Sequence, residues 1–135
     1  MAIFHTLGKY RNTGLLILRV GLGAMMMVHG FPKIMGGPDK WALLGGSMKV
    51  IGIDFIPAFW GFMAAISEGL GGFLLLLGLF FRPVNILLAF TMVIAALVHF
   101  GKGEGIMGAS HAIEIGIVFF SLIFIGPGKY SVDGK

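Results

Sequence analysis

The sequence predicts an all-α protein, a bundle of four transmembrane helices with a short amphipathic helix at the membrane surface in the first connection. The first observation is composition: of 135 residues, 57% are apolar and 12% are charged, about half the charged fraction of ordinary soluble domains. A soluble domain of this size could not cover so much apolar side chain with polar surface. A soluble enzyme, a disordered chain and a nucleic-acid-binding module are therefore excluded, and we expect the lipid bilayer itself to be the partner of this chain.

The second observation is a set of four apolar runs, each close to the roughly 20 residues that cross a bilayer as a helix. Transmembrane strands would alternate in polarity, and these runs do not, so helices are expected because they satisfy their own backbone hydrogen bonds. We expect one membrane domain over residues 1–135, with spans at about 13–30, 56–81, 84–100 and 110–125.

The first connection carries an apolar stripe at spacings of 3, 4 and 3 residues, preceded by Pro38-Asp39 as a helix start. The stripe predicts a surface helix, with an irregular loop over the bundle as the alternative. Arg82-Pro83 is expected to form the turn between spans two and three, and the glycine-rich segment 101–109 a flexible loop. The stripe consists of Trp41, Leu44, Met48 and Ile51.

The distribution of basic residues predicts the orientation. With four spans, both termini lie on the same side of the membrane. Five basic residues lie on that side and four on the other, so the positive-inside rule favours cytoplasmic termini in a bacterial-type inner membrane. Arg19 interrupts the first apolar run, which we interpret as an uncleaved helix. The chain has no cysteine, so any redox role must use a bound cofactor, a quinone or a partner subunit.

Ionisable side chains at membrane depth are costly and usually face the bundle interior. Arg19, Glu68 and Glu114 lie within the predicted spans. Near the span ends lie His29, Lys33, His99 and His111. From the helical rise of about 1.5 Å per residue, most of these groups fall at similar depth, so we expect them to converge in one interior pocket.

Four interpretations of this pocket stay open. Arg19 could pair with Glu68 or Glu114 purely as structure. Histidine and glutamate could hydrogen-bond a quinone head group and carry its protons. A metal could bind at His111 and Glu114, but their i, i+3 spacing is too weak a signal for us to expect one. The fourth interpretation is a proton or ion path.

Taken in their order along the chain, several sequence fragments resemble the DoxX family of small four-helix membrane proteins. The resemblance implies an inner-membrane protein often tied to redox chemistry; some relatives are subunits of thiosulfate:quinone oxidoreductase, and others assemble with detoxifying enzymes. Nothing in the sequence identifies thiosulfate as a substrate. The fragments are LRVGLG at 18–23, HGFPK at 29–33, EGLGG at 68–72, LGL at 77–79, Arg82-Pro83, Val98-His99, Glu114 and GPGKYSVD at 126–133.

We therefore predict the membrane subunit of a quinone-linked oxidoreductase or redox complex, with quinone as its possible cofactor. Glu68, Glu114 and His99 are the expected catalytic residues; the expected head-group ligands are Arg19, His29, Lys33 and His111. Two alternatives belong to other classes. One is a non-catalytic scaffold that docks a partner subunit through the helix around Trp41, and the other is a small-molecule or ion transporter. A homo-oligomer is compatible with each.

Overall fold

The computed structural model describes residues 3–134 and, over that range, is helical with no strand. Four of its helices are long and apolar enough to cross a membrane, which confirms the predicted all-α class. The helices are α1 (Arg11–Met35), α2 (Gly37–Gly45), α3 (Pro57–Leu77), α4 (Phe81–Gly101) and α5 (Gly105–Ile125), with 3-10 segments at His5–Tyr10 and Gly46–Ile51. The four long helices are α1, α3, α4 and α5; α2 lies in the first connection.

The bundle is built from two closely packed pairs, α1 with α3 and α4 with α5, joined by a smaller contact between α3 and α4. The core between them is apolar and includes Leu75, Phe81, Leu88, Phe119 and Leu122. Apolar side chains also cover the outside of the four long helices, as expected for surfaces that face lipid rather than water.

Glycines let α1 and α3 approach until their backbones touch. A Cβ atom at Gly30 would collide with the backbone of Gly69, and one at Gly23 would meet the carbonyl oxygen of Gly72. Close approach through small residues is how membrane helices gain packing contact when lipid supplies no hydrophobic drive. This contact brings the second half of α1 beside the middle of α3.

The turns differ from the predicted ones in position. The turn between α3 and α4 falls at Gly78–Phe80 rather than at Arg82-Pro83, because Gly78 (φ 70°) ends α3 in the left-handed conformation, where glycine has no steric penalty. Pro83 lies in the first turn of α4, where its missing N–H costs nothing. The expected loop 101–109 is also shorter, since α5 already begins at Gly105.

Residues 126–134, here called the tail, fold across the end of the bundle that also holds the start of α1. Val132 and Asp133 donate backbone N–H groups to the carbonyl oxygens of Leu77 and Gly78. The Asp133 carboxylate accepts the N–H groups of Phe80 (3.2 Å) and Phe81 (2.7 Å). The tail thereby satisfies backbone groups left open where α3 ends and α4 begins.

The first connection is helical as predicted, but α2 ends at Gly45, so the second half of the apolar stripe lies in the 3-10 segment Gly46–Ile51, and α2 lies directly against α3. The backbones of Gly45 and Pro57 touch, as do those of Trp41 and Gly61. The Trp41 indole packs on Phe62 (ring centroids 4.7 Å apart) and donates from Nε1 to the Lys33 carbonyl oxygen at 3.0 Å. Trp41 therefore faces the bundle, and α2 forms a wall beside the first half of α3.

Candidate functional site

A cavity of about 440 Å³ opens between α2, α3 and α4, in the half of the bundle away from the tail. Its walls are mostly apolar, which is typical of small-molecule sites that add a few convergent polar groups. It is also large enough for a ring-sized ligand. The polar side chains in its lining are those of Lys33, Ser47, Trp60, Ser67, Glu68, Thr91 and His99.

An ion pair lies at the wall formed by α1 and α3. Lys33 Nζ is 2.7 Å from Glu68 Oε2, and the side chains are 31% and 8% exposed, respectively. The glycine contact between Gly30 and Gly69 sets this geometry, because it holds Glu68 beside the last turns of α1. The Glu68 carboxylate is buried, and its charge is compensated by the Lys33 ammonium. The ammonium also lines the cavity, and since it carries three N–H donors, it can donate to a ligand as well.

A second acid–base pair lies where α4 ends. His99 lines the cavity, and its Nδ1 is 2.8 Å from Oε1 of Glu104 in the turn before α5. Both side chains are more than a third exposed. A carboxylate on one ring nitrogen orients the imidazole and leaves the other nitrogen, Nε2, for a ligand. The pair therefore connects the cavity to the surface at this end of the bundle.

Trp60 contributes a hydrogen-bond donor that has no acceptor. Its Nε1 is buried and, within residues 3–134, makes no hydrogen bond. The indole belongs to the cavity lining, whereas the nearby Ser67 hydroxyl is already used, donating to the Met63 carbonyl oxygen at 2.7 Å. A buried N–H without a partner is uncommon in proteins, but Arg19 Nε at the tail end is another within residues 3–134, so the Trp60 donor does not by itself indicate a ligand.

The rim of the cavity carries exposed apolar side chains, which we expect to face lipid. Four of its lining residues, all on membrane-spanning helices, also have exposed apolar side chains. A ligand could therefore enter sideways from the bilayer without crossing water. These residues are Phe59 and Met63 on α3 and Leu87 and Phe90 on α4.

Arg19 does not join this cavity, so the expected convergence of Arg19 with the glutamates is wrong. Its guanidinium is buried at the tail end and donates to three carbonyl oxygens: Leu76 (3.1 Å), Pro127 (3.0 Å) and Tyr130 (2.8 Å). Arg19 and Lys33 are 14 residues apart on one helix, about 21 Å at the helical rise. A long side chain can reach either way along the bundle, so the depth of Arg19 in its helix did not determine its partners.

His29, His111 and Glu114 also lie outside the cavity. Their side chains are exposed, and the rings of His29 on α1 and His111 on α5 have centroids 6.5 Å apart. In the part of the chain that the structure describes, no group of three histidine or carboxylate side chains could hold a metal ion. Of the seven predicted site residues, the cavity brings together Lys33, Glu68 and His99.

Sequence reasoning missed Trp60 and Glu104. Tryptophan favours membrane interfaces, so its presence at position 60 does not by itself indicate a cavity. Glu104 lies five residues after His99, a spacing that does not place two side chains on one helix face. The chain must leave the helix at residue 102 for the two to meet, so the boundary of α4 was the signal that could have revealed this pair.

Fold and composition together define an integral membrane protein with four helices that can span the bilayer. The sequence profile of the DoxX family matches residues 14–101, well over half of the chain. The chain belongs to the DoxX family.

Curated relatives match over different lengths. An uncharacterized protein of Haemophilus influenzae is 28% identical, with 97% of this chain and 96% of the relative covered. The inner membrane protein YphA of Escherichia coli is also 28% identical (98% and 96%). A Bacillus subtilis protein named "Putative oxidoreductase CatD" is 32% identical over 64% of this chain and 60% of its own length. No solved structure matches this chain significantly.

Proposed function

We propose that this protein is the membrane subunit of a quinone-linked redox complex and that its cavity binds the head group of a lipid-soluble quinone. One observation carries the proposal. A cavity with an apolar rim is lined by the Lys33–Glu68 ion pair, whose carboxylate is buried, and by His99, which pairs outside the lining with Glu104. A quinone ring needs both an apolar slot and polar groups that bind its two oxygens and exchange protons.

The donors in the cavity match the oxygens of such a ring. Lys33 Nζ can donate to one carbonyl oxygen of the ring, and His99 Nε2 can form a hydrogen bond with the other. Glu68 holds the ammonium in place and compensates its charge. The lipid-facing mouth gives a hydrophobic tail a route to remain in the bilayer while the head group is bound.

The proposed proton route runs through the second pair. When a quinol is oxidised, two electrons pass to a redox centre on a partner subunit and two protons leave the ring oxygens. His99 can accept a proton at Nε2 and release one from Nδ1 to Glu104 near the surface, as imidazole does in other proton relays. The chain has no cysteine, so we assign the electrons to the partner rather than to a thiol of this chain.

The comparisons support the redox class only by analogy, through the name of the Bacillus subtilis relative. The scaffold alternative loses its predicted docking residue, because Trp41 packs against Phe62 and faces the bundle. Four helices long and apolar enough to cross a membrane support placement in the inner membrane, which the name of YphA states for that relative. We keep the cytoplasmic position of both termini as part of the proposal.

Binding can be tested by tryptophan fluorescence, since the chain has only two tryptophans. Trp41→Phe leaves Trp60 in the cavity wall as the single reporter. Titration of this variant in lipid nanodiscs with decylubiquinone should give saturable quenching. In the same background, Ala95→Phe, which fills the cavity, should weaken binding at least tenfold, about 1.4 kcal/mol.

Ala89→Phe is the matched control. Ala89 and Ala95 are both half-buried on α4 and packed on the same core, but Ala89 lines a groove between α4 and α5 instead of the cavity. Its quenching curve should be that of the parent. Quenching that rises linearly and equally in all three proteins would mean that the quinone only partitions into lipid, and it would remove the proposed function.

A further inference from the structure

A second set of ionisable side chains lies on the outside of the bundle, away from the cavity. We call His29 on α1 and His111 and Glu114 on α5 the outer polar face. All three side chains are exposed, and the two imidazoles approach each other edge to face. Among residues 3–134, none of the three makes a hydrogen bond or ion pair with another side chain.

The depth of this face in the membrane makes it unusual. Glu114 is one residue from the middle of the 21-residue helix α5, so it lies about 14 Å from the helix start at the helical rise. His29 and His111 each lie six residues inside their helix ends, about 9 Å deep. A carboxylate exposed to hydrocarbon at mid-membrane is costly, and such residues normally face a protein partner.

We infer that the outer polar face is a dimer interface, and that a second copy of this chain covers it. The face carries one acceptor-rich carboxylate and two imidazoles that can donate. In a two-fold dimer, any contact from one copy is made again in reverse. Glu114 of each copy can therefore accept a hydrogen bond from His111 or His29 of the other, which satisfies both kinds of group at once.

Other occupants fit this face less well. A lipid head group lies at the membrane surface and does not reach the middle of α5. A foreign helix with a single lysine or arginine would satisfy Glu114 but would leave the two imidazoles without an acceptor. When two copies insert in the same orientation, each residue lies at the same depth in both. The histidines of one copy and the glutamate of the other then meet within one helical turn.

Disulfide cross-linking in native membranes tests the interface, because the chain has no cysteine of its own. Ser121 is exposed on α5 and lies seven residues from Glu114, about 20° away around the helix. Ser121→Cys is nearly isosteric and should form a covalent dimer upon mild oxidation. Ile86→Cys, at a position 56% exposed on α4, is the matched lipid-facing control and should stay monomeric.

Glu114→Leu in the Ser121→Cys background should lower the dimer yield at least fivefold, whereas Glu114→Gln, which keeps an acceptor, should retain most of it. Decylubiquinone quenching of Trp60, measured in these variants with Trp41→Phe added, reports the cavity separately from the dimer, so the two proposals can fail independently. Equal cross-linking at positions 86 and 121, or a dimer yield unchanged by Glu114→Leu, would overturn the inference. So would a monomeric wild type that binds a different membrane protein through Glu114.

Discussion

At the scale of single residues, the pairing of Lys33 with Glu68 shows how a charge is kept at membrane depth. The carboxylate is almost fully buried, whereas nearly a third of the lysine side chain is exposed. Removing one partner of such a pair leaves the other uncompensated, and replacing both can be close to neutral. The two side chains therefore have unequal and strongly coupled effects upon mutation.

We predict that Lys33→Met destabilises the protein more than the double variant Lys33→Met/Glu68→Gln. The single change strands a buried carboxylate and should cost about 2 kcal/mol, less than the ~3–5 kcal/mol of a fully buried pair because Lys33 is partly exposed. Unfolding in mixed micelles of dodecylmaltoside and sodium dodecyl sulfate measures the difference. If the effects of the two single substitutions simply add in the double variant, the pair is not coupled and the prediction fails.

At the scale of helices, the glycine contact between α1 and α3 decides where the polar residues lie. It brings the end of α1 beside Glu68 and so forms one wall of the cavity. The spans themselves were predictable to within a few residues from hydropathy. Their ends were less so, because Gly78 and Gly105 end and begin helices through local backbone geometry that an apolar run does not reveal.

Two glycines of α1 offer a matched test of this contact. We predict that Gly30→Ala destabilises the protein by about 2 kcal/mol, in the range of overpacked cores, because its Cβ would strike the backbone of Gly69. Gly21→Ala, with no atom within 4 Å of the new Cβ, should be neutral or stabilising by up to ~1 kcal/mol. Thermal unfolding of both variants in detergent measures this, and equal midpoints would contradict a tight α1–α3 contact.

At the scale of the whole molecule, Arg19 joins three parts of the chain. From α1 it binds the carbonyl oxygens of Leu76 near the end of α3 and of Pro127 and Tyr130 in the tail. Gly78 makes room for it, since a Cβ there would crowd the guanidinium and Ser131. At the tail end of the bundle, Arg19 thus holds α1, α3 and the tail together, and we call this set of hydrogen bonds the Arg19 lock. The cavity lies at the other end.

We predict that Arg19→Ala costs at least about 3 kcal/mol of unfolding free energy, since hydrogen bonds to charged groups contribute ~1.5–3 kcal/mol each. Arg19→Lys should be intermediate, because an ammonium lacks the planar fork that reaches three carbonyls. Limited proteolysis should cut near residue 128 sooner in Arg19→Ala than in the parent. Wild-type stability in Arg19→Ala would contradict the Arg19 lock, and decylubiquinone binding to folded Arg19→Lys should be unchanged.

The sequence by itself determined that this protein belongs in lipid, that it is all-α, and approximately where its spans lie, because hydrophobicity and length act locally and can be summed along the chain. It also identified the ionisable residues that needed an explanation. Only the tertiary structure decided which of them meet. Lys33, Glu68 and His99 share a cavity, Arg19 binds the tail, and Glu114 faces outward, since helix rotation and packing, which depend on every contact at once, set the direction of each side chain.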